Sequence, residues 1–361
     1  MIELVGKAVI MTDNHIGRRQ FNFHYFENII EFYHDIFDKM KAEKIENLFF
    51  LGDFWDNRVV INWRIFNAAN KYIFEPLEEM GVNVIMIIGN HDTTYKSTIT
   101  EHSLKYIPKM FKNVTVLEEE TFVKFNDKKM LFVPWITDHK KYDYSSFPKA
   151  DLVLGHFEIV GYEMISGVKA EEGINQQEFK NSKVLSGHFH VRNGPYLGVA
   201  EQMNWSDYGQ QKGIHILDEN LELEFIENKV SQKYLKIYID TTKDKPLNLQ
   251  GFTKTSSNFK SVSEILKKIE LQKHIIKVIL KNTSNIKVFN DIKVELDKNS
   301  IDYKIIDETP ELLSKMNLDR TNVKDDKMDI VDIIEDNDIP QDIKLLFREL
   351  YSEALAQEEI N

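Results

Sequence analysis

The sequence contains no cysteine. That absence excludes disulfide frameworks, thiolate zinc sites and cysteine nucleophiles, so any site chemistry has to come from histidines, carboxylates, amides and hydroxyls. Long hydrophobic runs are missing as well. No stretch of about 18 uninterrupted apolar residues occurs, and a membrane helix is not expected. The first residues, Met1-Ile2-Glu3-Leu4-Val5-Gly6-Lys7-Ala8-Val9-Ile10, put an acid where a secretory signal wants bases and run straight into a strand pattern. Secretion is therefore not expected, and the cytoplasm is the expected location. There is no internal repeat and no low-complexity tract to suggest a solenoid or a fibre.

With 361 residues, the chain exceeds the roughly 250 to 300 at which one core stops growing, so at least two domains are expected. Apolar residues at 42% and charged residues at 29% give the balance of a globular protein. The net charge of −12 argues on its own against a nucleic-acid partner. The charge is unevenly spread, however. Residues 229–304 hold 16 lysines against 8 acids, whereas residues 319–361 hold 5 basic and 13 acidic residues. The basic middle suits either a surface that approaches phosphates or a solvated lysine face.

Short apolar runs at 8–11, 48–51, 84–88, 131–133, 152–154 and 183–185 read as buried strands, and 26–44 and 63–80 have helical length and spacing. Helices covering a sheet make this an α/β architecture, in which ligands sit beyond the carboxyl ends of the strands. A second small α/β unit is expected from strands at 234–239, 275–280 and 303–306 with helices at 261–271 and 291–298. The expected boundaries are 1–230, 231–308 and a tail at 309–361. In that tail Ile343, Leu346, Phe347, Leu350, Tyr351, Ala354 and Leu355 fall on one helical face.

Five of the apolar runs lead into short segments of one kind: Asp13-Asn14-His15, Gly52-Asp53, Gly89-Asn90-His91-Asp92, Gly155-His156 and Gly187-His188-Phe189-His190. A single such motif is weak evidence, since a lone histidine is more often a hydrogen-bonded core residue than a ligand. Five of them in order, each just after an expected strand, fit a pair of divalent ions about 4 Å apart that orient and activate a water for phosphoester displacement. Asp53 is the natural bridge, with two oxygens to divide between two ions. Nitrogen and oxygen donors without sulfur fit Mn or Fe better than a structural zinc site, with Mg and Zn as alternatives.

The ordered motifs DNH, GDFWD, GNHD, GHFE and GHFH resemble those of the calcineurin-like metallophosphoesterases. They are closer still to the SbcD and meiotic-recombination-eleven nuclease branch, and within it to the small subunit of bacteriophage recombination endonucleases. The resemblance covers roughly residues 5–218, including Tyr196-Leu197-Gly198 and Trp205-Ser206-Asp207-Tyr208-Gly209. It implies a layered α/β sandwich, a small α/β capping domain that contacts DNA, and a C-terminal helical tail. It also implies one ion on Asp13, His15, Asp53 and His190, and a second on Asp53, Asn90, His156 and His188. His91 is then the phosphate contact and general acid, with Asp92 orienting it or capping a following helix. The implied activity is metal-dependent DNA exonuclease or endonuclease action, and the implied partner is an SbcC-like coiled-coil ATPase docking on the tail helix.

Two positions depart from that pattern. Asp56 stands where the nuclease branch often has His, and Val199-Ala200-Glu201 replaces a small-residue and proline sequence. The rival readings are a phosphatase or cyclic-nucleotide phosphodiesterase on the same metal site, and a noncatalytic DNA-end scaffold. Phe21, Phe23, Tyr25 and Phe26 fit either a homodimer contact or plain core packing.

Overall fold

The computed structural model describes residues 2–21, 23–144, 147–165, 167–180, 182–231, 233–240, 248–250, 274–281, 286–299 and 302–307. They form two compact units. Among these residues the first unit comprises those up to Glu201 and Gln211–Ser231, and the second takes Gln202–Gln210 together with the described chain beyond Gln232. The excursion Gln202–Gln210 is invisible to a linear boundary. It is tied into the second unit by Tyr234, whose N–H donates to Gln202 Oε1 at 2.8 Å and whose hydroxyl donates to the Met203 carbonyl at 2.7 Å.

In chain order the strands of the first unit are β1 (Ile2–Leu4), β2 (Ala8–Met11), β3 (Asn47–Leu51), β4 (Asn83–Ile87), β5 (Thr93–Tyr95), β6 (Thr98–His102), β7 (Val114–Leu117) and β8 (Thr121–Phe125). They continue with β9 (Lys128–Val133), β10 (Leu152–His156), β11 (Glu163–Ile165), β12 (Val168–Lys169), β13 (Lys183–Gly187), β14 (Gly213–Leu217) and β15 (Leu223–Glu227). One sheet has the order β15–β14–β2–β3–β4–β7 and the other β1–β8–β9–β10–β13; β5–β6 and β11–β12 are separate two-stranded ribbons. The central strands β2, β3, β4 and β7 are parallel, as are β9, β10 and β13.

Parallel strands covered on both faces read as continuous apolar runs, and the packing shows why. In β3, Leu48 and Phe50 join a core shared with helices, while Phe49 and Leu51 join a core between the sheets. Strand β9 does the same on the other sheet, sending Met130 and Phe132 between the sheets and Leu131 and Val133 to an outer cluster around Phe147, Phe157 and Phe179. The first unit is thus a layered α/β sandwich.

The helix expected at 26–44 runs Phe23–Glu43 and buries Phe26, Ile29, Tyr33, Ile36, Phe37 and Met40 at three- and four-residue spacing. Phe21 and Phe23 pack partly buried against the same core. The helix expected at 63–80 is interrupted. Trp63–Ala69 and Glu75–Glu79 are α-helical, with a π turn at Asn70–Phe74 between them. Pro76 supplies the reason, because it can donate no hydrogen bond to Tyr72 and its ring crowds that carbonyl, which a widened turn relieves.

In the second unit β16 (Lys233–Asp240), β17 (Asn248–Gln250), β18 (His274–Lys281) and β19 (Asp302–Asp307) form a sheet ordered β17–β16–β18–β19. Helix Ile286–Asn299 connects the parallel β18 and β19 and buries Ile292 and Leu296. The helix expected at 261–271 and the apolar stripe Ile343 to Leu355 lie outside the described residues. None of the described helices is long and apolar enough to cross a membrane.

Strand β14 carries one titratable group in a dry place. His215 is buried on the inter-sheet side of the strand with Leu217, its ring 5.3 Å from Phe225 and its Nδ1 without a hydrogen-bond partner. Burial, and then the charge of Arg192, lower its pKa from 6.5 to about 4. The unfolded chain therefore binds more protons than the folded one between these values, so the stabilising contribution is present above 6.5 and is lost as pH falls toward 4. Urea titrations at pH 7 and pH 5 should show His215→Asn losing about 1–2 kcal/mol less than the wild type over that interval.

Candidate metal centre

Five strand ends deliver the candidate ligands. Asp13 and His15 follow β2, Asp53 follows β3, Asn90 to Asp92 follow β4, His156 ends β10, and His188 and His190 follow β13. Two hydrogen bonds clamp the ends of the two sheets together: the His156 ring meets the Leu51 carbonyl at 2.7 Å, and the Trp135 N–H donates to the Ile88 carbonyl at 2.8 Å. Space is so short here that only glycine fits between the loops. A Cβ on Gly89 would lie 2.2 Å from Asp53 Oδ1, and one on Gly187 would lie 2.1 Å from Thr12 Oγ1.

All seven expected ligands converge. Three groups have ligand atoms within 4.8 Å of one another: Asp13, His15 and His190; His15, Asp53 and His91; and Asp53, His156 and His188. Asp53 belongs to two of them. Its Oδ2 is 3.7 Å from His15 Nε2 and 3.3 Å from His156 Nε2, so one carboxylate faces both halves of the cluster. Asn90 Oδ1 lies 2.9 Å from His156 Nε2 and 3.0 Å from His188 Nδ1. On the other side His190 Nε2 lies 3.2 Å from His15 Nε2. Asn14, between Asp13 and His15, turns away and donates to the Tyr33 hydroxyl at 2.5 Å.

The donor set passes the test for divalent cations. Neutral imidazole nitrogens, carboxylate oxygens and an amide oxygen present lone pairs to common points in a buried space, and such groups need a positive charge between them. Without a cation that charge has to come from protons. Burial lowers the pKa of His156, but the Asp53 carboxylate outweighs it and lifts the group to about 9. Burial opposes ionisation of Asp53 too, yet His156 first, with His91 and His15, holds it well below the usual range. His188 is pushed down to about 3 by burial and then by the charge of His156, which keeps it a lone-pair donor. Turned about, the Asn90 amide would offer its NH2 to these atoms and its oxygen to Arg58 Nη2 at 3.2 Å; only the first orientation gives a cation a ligand.

Residues 6–192 match the family model of the calcineurin-like phosphoesterases. The chain belongs to that family. It is also similar to exonuclease subunit 1 of Enterobacteria phage T4, at 27% identity over 189 residues that make up 50% of this chain and 55% of that protein. The chain thus spans about half the length of the curated relative it matches.

One residue supports two histidines of this phosphoesterase in a way the sequence did not announce. Asp56, at the first departure from the nuclease pattern, has Oδ1 3.4 Å from His15 Nδ1, while its backbone carbonyl accepts from His91 Nδ1 at 2.9 Å. A carboxylate on the far nitrogen fixes which imidazole nitrogen faces a metal. At His91 the carbonyl can only accept, so Nδ1 carries the hydrogen and Nε2 bears the lone pair of the neutral ring.

Asp92 is expected to orient His91, and the hydrogen bonds described for it run to backbone amides instead. Asp92 is fully buried and its oxygens accept from backbone N–H groups: Asp53 at 2.8 Å, Gly89 at 3.0 Å, Phe54 at 3.1 Å and Trp55 at 3.3 Å. It cross-ties the loops after β3 and β4. No helix follows it to be capped; the chain enters the β5–β6 ribbon instead. Burial and then the nearby Asp53 charge raise its pKa to about 7, against the pull of the Gly89 and Trp55 amides.

The second departure from the pattern, Glu201, forms a buried ion pair with Arg18 Nη2 at 2.6 Å. It joins the loop that carries His15 to the segment entering β14. Losing one partner of such a pair leaves a buried charge and costs about 3–5 kcal/mol.

Asp92→Ala discriminates the two roles. A loop tie predicts a loss of at least about 3 kcal/mol, because several buried amides lose their acceptor, and at least a tenfold weaker affinity for Mn²⁺ by calorimetry. Unchanged metal affinity with slower turnover would restore the orienting role.

Proposed function

We propose that this chain is a two-metal-dependent nuclease that hydrolyses DNA phosphodiester bonds, the nuclease subunit of an SbcCD-like end-processing complex. The observation that carries the reading is the convergence of Asp13, His15, Asp53, Asn90, His156, His188 and His190 on one buried point, with Asp53 shared. The similarity to a phage exonuclease subunit supports DNA as the substrate. Asp13, His15, Asp53 and His190 would hold one ion, and Asp53, Asn90, His156 and His188 the other, with Mn foremost by donor chemistry. A bound ion pair supplies charge to the scissile phosphate and lowers the pKa of the attacking water.

The residues of the chain do the rest. The His91 ring lies beside the Asp53 carboxylate, which its own backbone N–H contacts at 2.8 Å. From there it contacts the phosphate and delivers a proton to the leaving sugar oxygen. Burial lowers its pKa, which makes the protonated form a stronger acid once substrate binds. Asp56 holds the His91 and His15 rings, Asp92 holds the loops, and the shared inter-sheet core fixes the strand ends that carry them.

Purified chain with Mn²⁺, Mg²⁺ or chelator, on DNA and on p-nitrophenyl phosphate, tests the reading. Metal-dependent DNA cleavage, abolished in Asp53→Ala, is the expected result. Cleavage by Asp53→Ala at the wild-type rate would overturn the assignment, and hydrolysis of the monoester alone would make the chain a phosphatase.

His91→Gln separates binding from chemistry. It should keep both metal sites by calorimetry and lose on the order of 10² to 10⁴ in rate. Loss of metal binding in this variant would make His91 a ligand.

The partner side of the reading rests on the tail stripe, Leu346, Phe347, Leu350 and Tyr351, as a helix seated in the groove of a coiled-coil ATPase. Leu346→Glu with Leu350→Glu should abolish co-purification with the ATPase and leave unstimulated cleavage intact. Cooperative unfolding of the catalytic unit would instead assign the helix to the chain's own core. A homodimer through the first long helix would show as a doubled mass in sedimentation.

A further inference from the structure

Beside the centre lies a cavity of about 480 Å³ that the metal chemistry does not use. Strand β6 contributes Ile99, the segment before β8 contributes Glu118 and Glu120, and the loop after β9 contributes Trp135, Ile136 and Tyr142. Trp135 is common to the cavity and the centre. Its ring centroid is 5.1 Å from that of His188 and 6.0 Å from that of His156. The backbone bond from Trp135 to Ile88 holds it next to the Asn90 loop. Trp135 is only partly buried and lines the cavity, so it stands at the border between the ligand cluster and open space.

The lining decides what that space suits. Among the described residues Glu118, Glu119, Glu120 and Asp138 line it with one cation, Lys141; Lys141 pairs with Asp138 at 2.7 Å, Glu118 Oε1 lies 3.4 Å from His102 Nε2, and Glu120 accepts from the Tyr142 hydroxyl, each carboxylate keeping a second oxygen. A wall of that sign repels phosphate. It welcomes N–H donors, and Trp135 offers a flat π surface, the platform on which an unstacked base packs without regard to sequence. A phosphodiester at the centre necessarily brings a sugar and a base to one side of the scissile bond.

Resting on the phosphodiester reading above, we propose that this cavity is a nucleobase subsite. The base flanking the scissile phosphate leaves its stack, packs on Trp135 and turns an exocyclic amine toward the carboxylates of Glu118 to Glu120. Bases that carry such an amine, adenine, cytosine and guanine, are then preferred over thymine.

The test is equilibrium binding, by calorimetry in Mn²⁺, of deoxyadenosine 5′-monophosphate against 2-deoxyribose 5-phosphate. The base should improve affinity by roughly ten- to a hundredfold, the range of a single base–aromatic stack. That ratio should fall to near one in Trp135→Ala and stay near the wild-type value in Trp135→Phe, which keeps an aromatic face. Equal affinities for the two ligands in the wild type would overturn the subsite. So would a Trp135→Ala protein in which both ligands weaken by the same factor, since Trp135 would then shape the metal centre and hold no base. Thymidine 5′-monophosphate binding as tightly as the adenine nucleotide would remove the amine preference. The comparison needs no turnover. A chain that cleaves no DNA yet shows the ratio keeps the subsite and loses the nuclease, and a chain that cleaves DNA without it does the reverse.

Discussion

Everything in the first unit answers to one unfavourable arrangement, the Asp53 carboxylate buried at the junction of two sheets. An ionised carboxylate out of water costs many kcal/mol unless paired and hydrogen-bonded. Partners therefore crowd it, His15 and His156 flanking Oδ2 and the His91 amide donating to Oδ1, against the like charges of Asp13 and Asp92. The partners are themselves too buried to stand alone. His156 depends on the Leu51 carbonyl, His15 on Asp56, and the loop beneath them on Asp92. The cluster is therefore one electrostatic unit, and divalent cations, which this family uses, are a fitting counter-charge for so many inward lone pairs.

That unit explains the layering. Ligands from β2, β3 and β4 in one sheet and from β10 and β13 in the other can meet only if the two sheets present their carboxyl ends at the same edge. The core between them enforces this, with Phe49 in contact with Phe125 and Phe132 at ring distances of 5.5 and 5.3 Å. Glycine appears where the crowding becomes absolute, at Gly89 against Asp53 and at Gly187 against Thr12.

The candidate ligands could be picked out of the sequence because each ends or follows an apolar run, and a strand end is a local feature. The supports could not, because each is a relation between distant segments. Asp92 looks like an ordinary acid in GNHD until the amides of residues 53 to 55 are brought to it. Glu201 looks like a mere departure from a motif until Arg18 arrives opposite it. The π turn before Pro76 and the excursion Gln202–Gln210 into the second unit belong to the same class. Period-based reading sees the length of a helix or the position of a boundary but not the strain or contact that alters it. Trp135 escaped notice for a related reason: a tryptophan after a strand carries no signal until its neighbour is known to be His188.

The backbone records how the arrangement is maintained. Asp13, His15, Asp53 and His188 all sit at positive φ, at 51°, 45°, 57° and 87°, a region unfavourable for any residue with a Cβ. Strain of about 1–3 kcal/mol at such a position persists only where the surroundings over-determine it. Here they do, through the backbone bonds Asp13 N to Gly52 O, His15 N to Asp53 O, Ile16 N to Phe54 O and Asp56 N to Ile16 O, at 2.9 to 3.1 Å. These bonds stitch the loop after β2 to the loop after β3 along its length. A ligand in ordinary extended backbone would continue the strand's alternation and place every second side chain in a core. The positive-φ turns carry the chain out of the strand, and Asp13 and His15 face one point while Asn14 between them bonds Tyr33 in the helix layer. Strain at these residues is a cost of turning two candidate ligands off the end of β2 in a short loop, and the buried cores on either side supply the stability that offsets it.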